Sequence, residues 1–281
     1  GQVVDPAPRH RHKRFSHQVL HRLQGFRFGS PAEVLLQTAL NHGVLPLSEL
    51  IERSHLEREL ALAELPALLE GGELVQLEPG DQHPNLSLLF APRQVVDAIR
   101  DNALAEVARH HALNPLRRGL PREELKSRLK LAPRVFNAFV RLMVGSGVLV
   151  EHGTLLALPS HRVNLSPAQQ TAVDQLLSRF SQAPYATPSI KECVALVGED
   201  VLRVIIERGD LLQVSADVIF RRVDYDHMLE IVTNHMRQHG ALTVAEFRDH
   251  FGTSRKYALA FLEYLDAHGV TVRDGDFRRL Q

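Results

Sequence analysis

The sequence predicts a mainly α chain with small β-hairpins, an α+β arrangement repeated four times in series. Three observations carry this. Helix-spaced apolar stretches are broken at short intervals by Gly, Pro and Ser/Thr cap signals. Short β-rich pairs joined by turn residues follow every third helix or so. The pattern recurs at about sixty residues, which suits independent small domains in line rather than a tight solenoid.

The clearest copy is the last, over 224–281. Met228, Leu229, Val232 and Met236 mark the inner face of its first helix, and Gly240 stops it. Thr243 with Glu246 three residues on forms a capping box, so a short helix should run over 244–250. Gly252 supplies the positive φ of a sharp turn. A longer helix follows over 254–268, with Ala258, Leu262 and Leu265 on one face and Phe261 beside them, and Gly269 ends it. Two short strands, 270–272 and 277–280, are joined through Asp274-Gly275, a strong hairpin signal. Helix, Gly-containing turn, helix and hairpin make a winged helix-turn-helix.

The second helix of such a pair presents its first residues to nucleic acid. Here these are Ser254, Arg255 and Lys256. Free N–H groups and the positive end of the helix dipole favour a phosphate there, and two cations and a hydroxyl add charge-assisted hydrogen bonds. Arg273, Arg278 and Arg279 of the wing belong to the same end of the module. Tyr257 is a candidate base-stacking residue, but Tyr257, Phe261 and Tyr264 also form a helical stripe suited to packing. The module holds seven Lys/Arg against nine Asp/Glu. That argues for a narrow contact patch and against non-specific binding.

The same reading divides the rest of the chain into a basic stretch, 1–29, and three further modules, 30–91, 92–160 and 161–223. In the first, Ser30-Pro31 opens a helix with Val34, Leu35, Thr38 and Ala39 at helical spacing, and Gly43 ends it. Ser48 should cap a short helix, and Pro66 should kink a third that stops at Gly71-Gly72. In the second, a long helix over 93–112 precedes short helices from Pro121 and Pro133, with Arg134 left as a solvated side chain. A polar linker with prolines at both ends, 159–167, should separate two pairs of modules. In the third, Ser189 caps a short helix, but the turn carries Glu199-Asp200, which repels phosphate. This module reads as a spacer.

Composition excludes several classes. Lys+Arg and Asp+Glu each number 33, so no global basic field exists and binding must be local. One cysteine, Cys193, rules out internal disulfides and a cysteine-rich zinc site, and its apolar neighbours suggest a buried thiol. The histidine pairs His10/His12 and His17/His21 lack an H-E-x-x-H frame or a carboxylate cluster, so no metal site is read. There is no phosphate-binding G-x-x-x-x-G-K-[ST], G-x-G-x-x-G or nucleophile elbow. No catalysis and no cofactor are expected of this chain. No apolar run reaches transmembrane length and no signal peptide opens the chain, so no membrane contact and a cytoplasmic location are expected.

The string TVAEFRDHFGTSRKYALAFLEYLDAHGVT closely resembles the C-terminal winged helix of SelB, the family of bacterial selenocysteine-specific translation elongation factors. Val3-Val4-Asp5-Pro6 and Arg9-His10-Arg11-His12 resemble the segment where that family leaves its last elongation-factor β-barrel. The resemblance implies a barrel remnant at 1–29 and four tandem winged helices, the fourth binding an mRNA stem-loop, the selenocysteine insertion element. It implies that Ser254, Arg255 and Lys256 hold the hairpin backbone while Arg273, Arg278 and Arg279 flank it. It also implies that a GTPase part outside this chain uses GTP and Mg, carries selenocysteinyl-tRNA and works at the ribosome, with the protein a monomer. Two rival expectations are a tandem winged-helix DNA-binding regulator and a scaffold that binds only protein.

Overall fold

The computed structural model describes residues 30–79 and 85–281. The basic stretch 1–29 with its histidine pairs, and part of the first wing, lie outside the described residues.

In chain order the first module comprises α1 (Pro31–His42), β1 (Leu45–Pro46), α2 (Leu47–Ser54), α3 (Arg58–Glu70), β2 (Leu74–Gln76) and β3 (Leu89–Pro92). The second comprises α4 (Arg93–Leu113), β4 (Leu120–Pro121), α5 (Arg122–Leu129), α6 (Pro133–Gly145), β5 (Val150–His152) and β6 (Leu155–Ala157). The third has α7 (Pro167–Gln182), α8 (Ile190–Val197), α9 (Glu199–Glu207), β7 (Leu211–Gln213) and β8 (Ile219–Arg221). The fourth has α10 (Arg222–His239), β9 (Leu242–Thr243), α11 (Val244–Phe251), α12 (Arg255–Ala267), β10 (Thr271–Asp274) and β11 (Phe277–Leu280).

Local chemistry sets the helix starts. Ser30, Ser166, Ser189 and Thr243 each close a capping box with Glu33, Gln169, Glu192 and Glu246 at the third helical position. Ser48 does not cap: α2 begins a residue earlier, at Leu47, after Pro46. Pro66 lies inside α3, which continues to Glu70.

Each module encloses its own core. Leu35, Leu50, Leu65 and Phe90 meet in the first, and Val107, Leu125, Phe136 and Leu156 in the second. Val173, Phe180, Cys193 and Ile205 form the third, and Met228, Val232, Phe247, Phe261 and Leu265 the fourth. The Cys193 thiol is buried and free, and burial pushes it up to about 11.

Two wing strands serve two cores at once. Successive residues of a strand face opposite ways. On β3, Phe90 enters the first core, while Leu89 and Ala91 pack with Val96 and Ala138 of the second module. On β8, Ile219 enters the third core and Phe220 the fourth. Both strands run straight into the next helix, since Pro92 and Arg221 are the N-cap residues of α4 and α10. After β6 nine residues intervene before α7.

The chain accordingly divides into two compact units. One runs through Asn114 and takes in Arg118–His161; the other comprises Pro115–Arg117 and Arg162–Gln281. In modules one, two and four a two-residue strand before the second helix joins the wing in a three-stranded antiparallel sheet, ordered β1-β3-β2, β4-β6-β5 and β9-β11-β10. The third module keeps only β7 and β8, and the Thr187 hydroxyl donates to the Ile219 carbonyl where the third strand would pair.

Candidate nucleic-acid interface

The tip of the fourth module is built by α11, its turn and α12. Gly252 ends α11 in the left-handed region at φ 58°, as the sharp turn requires. Ser254 is the N-cap of α12, yet its side chain makes no cap bond. The third helical position, whose side chain would supply the reciprocal bond of a box, differs as well. Glu or Gln stands there in the four closed boxes, and Tyr257 stands there here. With no carboxylate to reach back, the serine hydroxyl and the first-turn N–H groups stay available.

Ser254, Arg255 and Lys256 are all exposed. Arg255 makes no ion pair among the described residues, and Lys256 has only a ring contact, its Nζ lying 5.9 Å from the Tyr257 ring centre. Tyr257 itself turns away from the tip. Its hydroxyl donates to the Thr187 carbonyl at 2.7 Å, and its ring lies 6.3 Å from Phe220. Burial of this ring raises the phenol's pKa. The Thr253 hydroxyl donates to the Tyr185 carbonyl. The loop 183–189 thus holds the turn from behind.

The wing divides its arginines. Arg273 and Arg279 are exposed; Arg273 Nε donates to the Gly275 carbonyl at 3.0 Å, and Arg279 pairs with Asp274 at 3.3 Å. Arg278 is a correction to the sequence reading. It is 1% exposed, and its Nε donates to Asp266 Oδ2 at 3.0 Å. Asp266 Oδ1 in turn accepts from the Thr271 hydroxyl. Strand alternation is the reason: Phe277 and Arg279 face outward on β11, so Arg278 faces the core. It cannot flank a ligand from there. β10 also continues to Asp274, so the hairpin turn is Gly275-Asp276 rather than Asp274-Gly275.

The acidic balance of this module loses its force once partners are seen. Asp224 pairs with Arg221, Asp226 with Arg222, Asp249 with Arg248, Asp266 with Arg278 and Asp274 with Arg279, while Glu246 closes a cap. Residues Arg221, Arg222 and Arg248 are consumed by these pairs.

The equivalent tips elsewhere are filled. At the start of α6, Arg134 grips Glu78 through two bonds, at 3.0 and 2.7 Å, and also donates to the Ser87 carbonyl. The guanidinium holds the Glu78 carboxyl below its ordinary range. Arg134 is therefore a strut within the first unit, not a solvated side chain. At the start of α9, Asp200 binds Arg203 and, at 3.5 Å, Arg117. At the start of α3 the N-cap is Glu57. Among the described residues no group of three or more His, Cys, Asp or Glu could hold a metal, and no helix is long and apolar enough to cross a membrane.

These features define a class, the tandem winged helix-turn-helix proteins. Within it, residues 104–158 and 234–280 each match a family model described as "Elongation factor SelB, winged helix". Over these stretches the chain is similar to the winged helices of that family, and over its winged-helix part it resembles the selenocysteine-specific elongation factors. It is 28% identical over 200 residues to that factor of Desulfomicrobium baculatum, covering 68% of this chain and 32% of that protein. Against the Escherichia coli (strain K12) factor it is 28% identical over 214 residues, covering 73% and 34%. The chain thus spans about a third of the length of these curated relatives. A crystal structure of bacterial selenocysteine-specific elongation factor EF-Sec shares the fold, with TM-score 0.52 and 15% identity over 100% of this chain and 42% of that one. The mRNA-binding domain of elongation factor SelB from E. coli, solved in complex with SECIS RNA, aligns over 42% of this chain and 99% of its own, with 24% identity and TM-score 0.35.

Proposed function

We propose that this chain is the mRNA-binding region of a selenocysteine-specific elongation factor and holds a selenocysteine insertion stem-loop with its fourth module. On this reading the modules are 30–91, 92–160, 161–223 and 224–281, and the chain performs no catalysis of its own and needs no cofactor. GTP hydrolysis and delivery of selenocysteinyl-tRNA at the ribosome belong to parts of the protein outside this chain, and the protein works as a cytoplasmic monomer.

One observation carries the reading. Arg255 and Lys256 stand without a carboxylate partner at an unclosed helix start, whereas the corresponding starts in modules two and three are neutralised from within. Arg273 and Arg279 add exposed charge from the wing. A folded RNA loop, read by backbone shape and splayed bases, suits so small a patch.

The test is a titration of the chain with a selenocysteine-insertion RNA hairpin, the same hairpin with a scrambled loop, and a DNA duplex of equal length. Tight, loop-dependent RNA binding is expected. Arg255→Ala with Lys256→Ala should weaken it roughly 100-fold or more, since each of the two charge-assisted bonds contributes about 1.5–3 kcal/mol. Each lost phosphate contact should also flatten the salt dependence by about one unit of slope. Preference for the duplex would point to a DNA regulator, and no saturable binding to a protein scaffold. Unchanged affinity in the double variant would move the contact elsewhere.

A further inference from the structure

The last wing is attached to its module differently from the wings before it. In modules one to three the final wing strand buries apolar side chains: Leu89, Phe90 and Ala91 on β3, Leu156 and Ala157 on β6, Ile219 and Phe220 on β8. On β10 and β11 only Thr271 and Arg278 are buried, and both are polar. Val272 and Phe277 face solvent, and Leu280 is half-buried. Both buried residues bond one carboxylate. Asp266, next to last in α12, accepts from the Thr271 hydroxyl at 2.6 Å through Oδ1 and from Arg278 Nε at 3.0 Å through Oδ2. A single side chain thus joins the end of α12 to both strands of the hairpin.

A buried ion pair is a poor device for stability alone. Taking two charges out of water can cost more than their attraction returns, and apolar side chains of similar volume often serve as well or better. This pair carries a further cost, because Arg278 Nη2 is buried with no hydrogen-bond partner among the described residues. What it supplies that apolar contact does not is direction, since a carboxylate fixes its donors by angle as well as by distance. The register shows what that direction governs. Arg273 lies across from Arg278, and Arg279 follows it on β11, so the seating of Arg278 sets where the two exposed wing cations stand.

We propose that Asp266, Thr271 and Arg278 are positioning residues, a clasp that holds the wing at the angle at which Arg273 and Arg279 meet the RNA backbone held by Arg255 and Lys256. The inference rests on the RNA-binding reading above and names what orients the wing. None of the three touches the RNA; they act through the two wing cations.

The test uses the full chain and a selenocysteine-insertion RNA hairpin. Asp266→Leu with Thr271→Val and Arg278→Met replaces the clasp by apolar side chains. Thermal unfolding should then occur at the wild-type temperature or above it. Affinity should nevertheless fall about tenfold or more, the loss of at least one charge-assisted contact. The salt dependence should flatten by about one to two units of slope, although Arg273 and Arg279 are intact. In the free chain, residual dipolar couplings of residues 271–280 should fit the frame of residues 255–267 in the wild type and depart from it in the triple variant. Because the clasp acts through the wing cations, its loss should add little to that of Arg273→Ala with Arg279→Ala, whereas independent contributions would add in full. Thr271→Val alone keeps the ion pair and should weaken binding by a smaller factor, and it serves where the triple variant does not fold. A folded triple variant with wild-type affinity and slope would overturn the clasp. So would losses that add in full, or wild-type affinity in Thr271→Val where the triple variant is unfolded. If Arg255→Ala with Lys256→Ala weakened binding while the clasp failed its test, the tip assignment would stand without it. If the wild-type chain bound no hairpin, the RNA-binding reading would fall and the clasp with it.

Discussion

His111, near the end of α4, is 8% exposed, and its Nε2 accepts the Leu158 N–H at 3.2 Å. Its ring stacks on His161 with centres 3.6 Å apart. Burial lowers its pKa from 6.5 to about 4, and the neighbouring His161 and His110 push the same way. The folded state therefore holds the imidazole neutral in a pH range where the unfolded chain takes up a proton. The contribution to stability is fully present above about pH 6.5 and is lost as pH falls toward about 4. Protonation would also remove the lone pair that Leu158 uses. Amide exchange over residues 148–158 should quicken as pH falls through that window, after correction for intrinsic rates. In His111→Leu the protection should be lower at neutral pH, but this pH-linked loss should vanish. A variant that kept the full wild-type slope would show that another group titrates there. Arg278 belongs at the same scale: one residue of strand alternation separates a surface cation from one buried against Asp266.

Helix starts decide what each element of this chain can do. Where Ser or Thr at the N-cap meets Glu or Gln at the third helical position the cap closes on itself; at α12 Ser254 meets Tyr257, which bonds Thr187 instead. Together with the Thr253–Tyr185 bond this ties the turn to the loop 183–189. Tyr257→Phe with Thr253→Val removes two hydrogen bonds of about 1 kcal/mol each. Amide exchange over residues 252–258 should then rise roughly thirtyfold with the module still folded, and unchanged exchange would show that apolar packing alone holds the turn. The Thr243–Glu246 capping box, the Gly252 turn and the presence of the last hairpin were legible in the sequence because each is fixed by residues within a few positions, whereas Ser30 and Ser189 were legible only as caps and Ser166 not at all. The two-residue strands β1, β4 and β9 were not, since two residues show no periodicity. Phe277 was legible only as a strand residue, and its exposure depends on which face of β11 meets the core. Arg134 could not be placed because Glu78, its partner, lies 56 residues away. The run Val218-Ile219-Phe220 did hold a usable signal. An unbroken apolar strand is buried on both faces, and β8 is shared by two cores.

Across the whole molecule the charges cancel, with 33 Lys+Arg against 33 Asp+Glu. A ligand approaching from afar meets no net attraction, and affinity must arise where cations stand unopposed. In the fourth module Arg255 and Lys256 lack a carboxylate partner, while Arg273 and Arg279 are exposed with loose partners that a phosphate can displace. Four phosphate contacts release about 0.7–0.9 counterions each. A plot of log affinity against log salt for the full chain and a selenocysteine-insertion hairpin should, on the proposed function, have a slope of about −3. Replacing Arg134 or Arg203 by Ala should leave that slope alone, because both are tied up by carboxylates. Replacing Arg255 and Lys256 together should bring it to about −1 or −2. A wild-type slope of about −6 or steeper would require cations beyond the fourth module, and the residues Arg9, Arg11, Lys13, Arg14, Arg22 and Arg27 are the densest such group in the sequence. Their removal would then have to restore the shallower slope, which distinguishes a second RNA contact at the start of the chain from a wider one at its end.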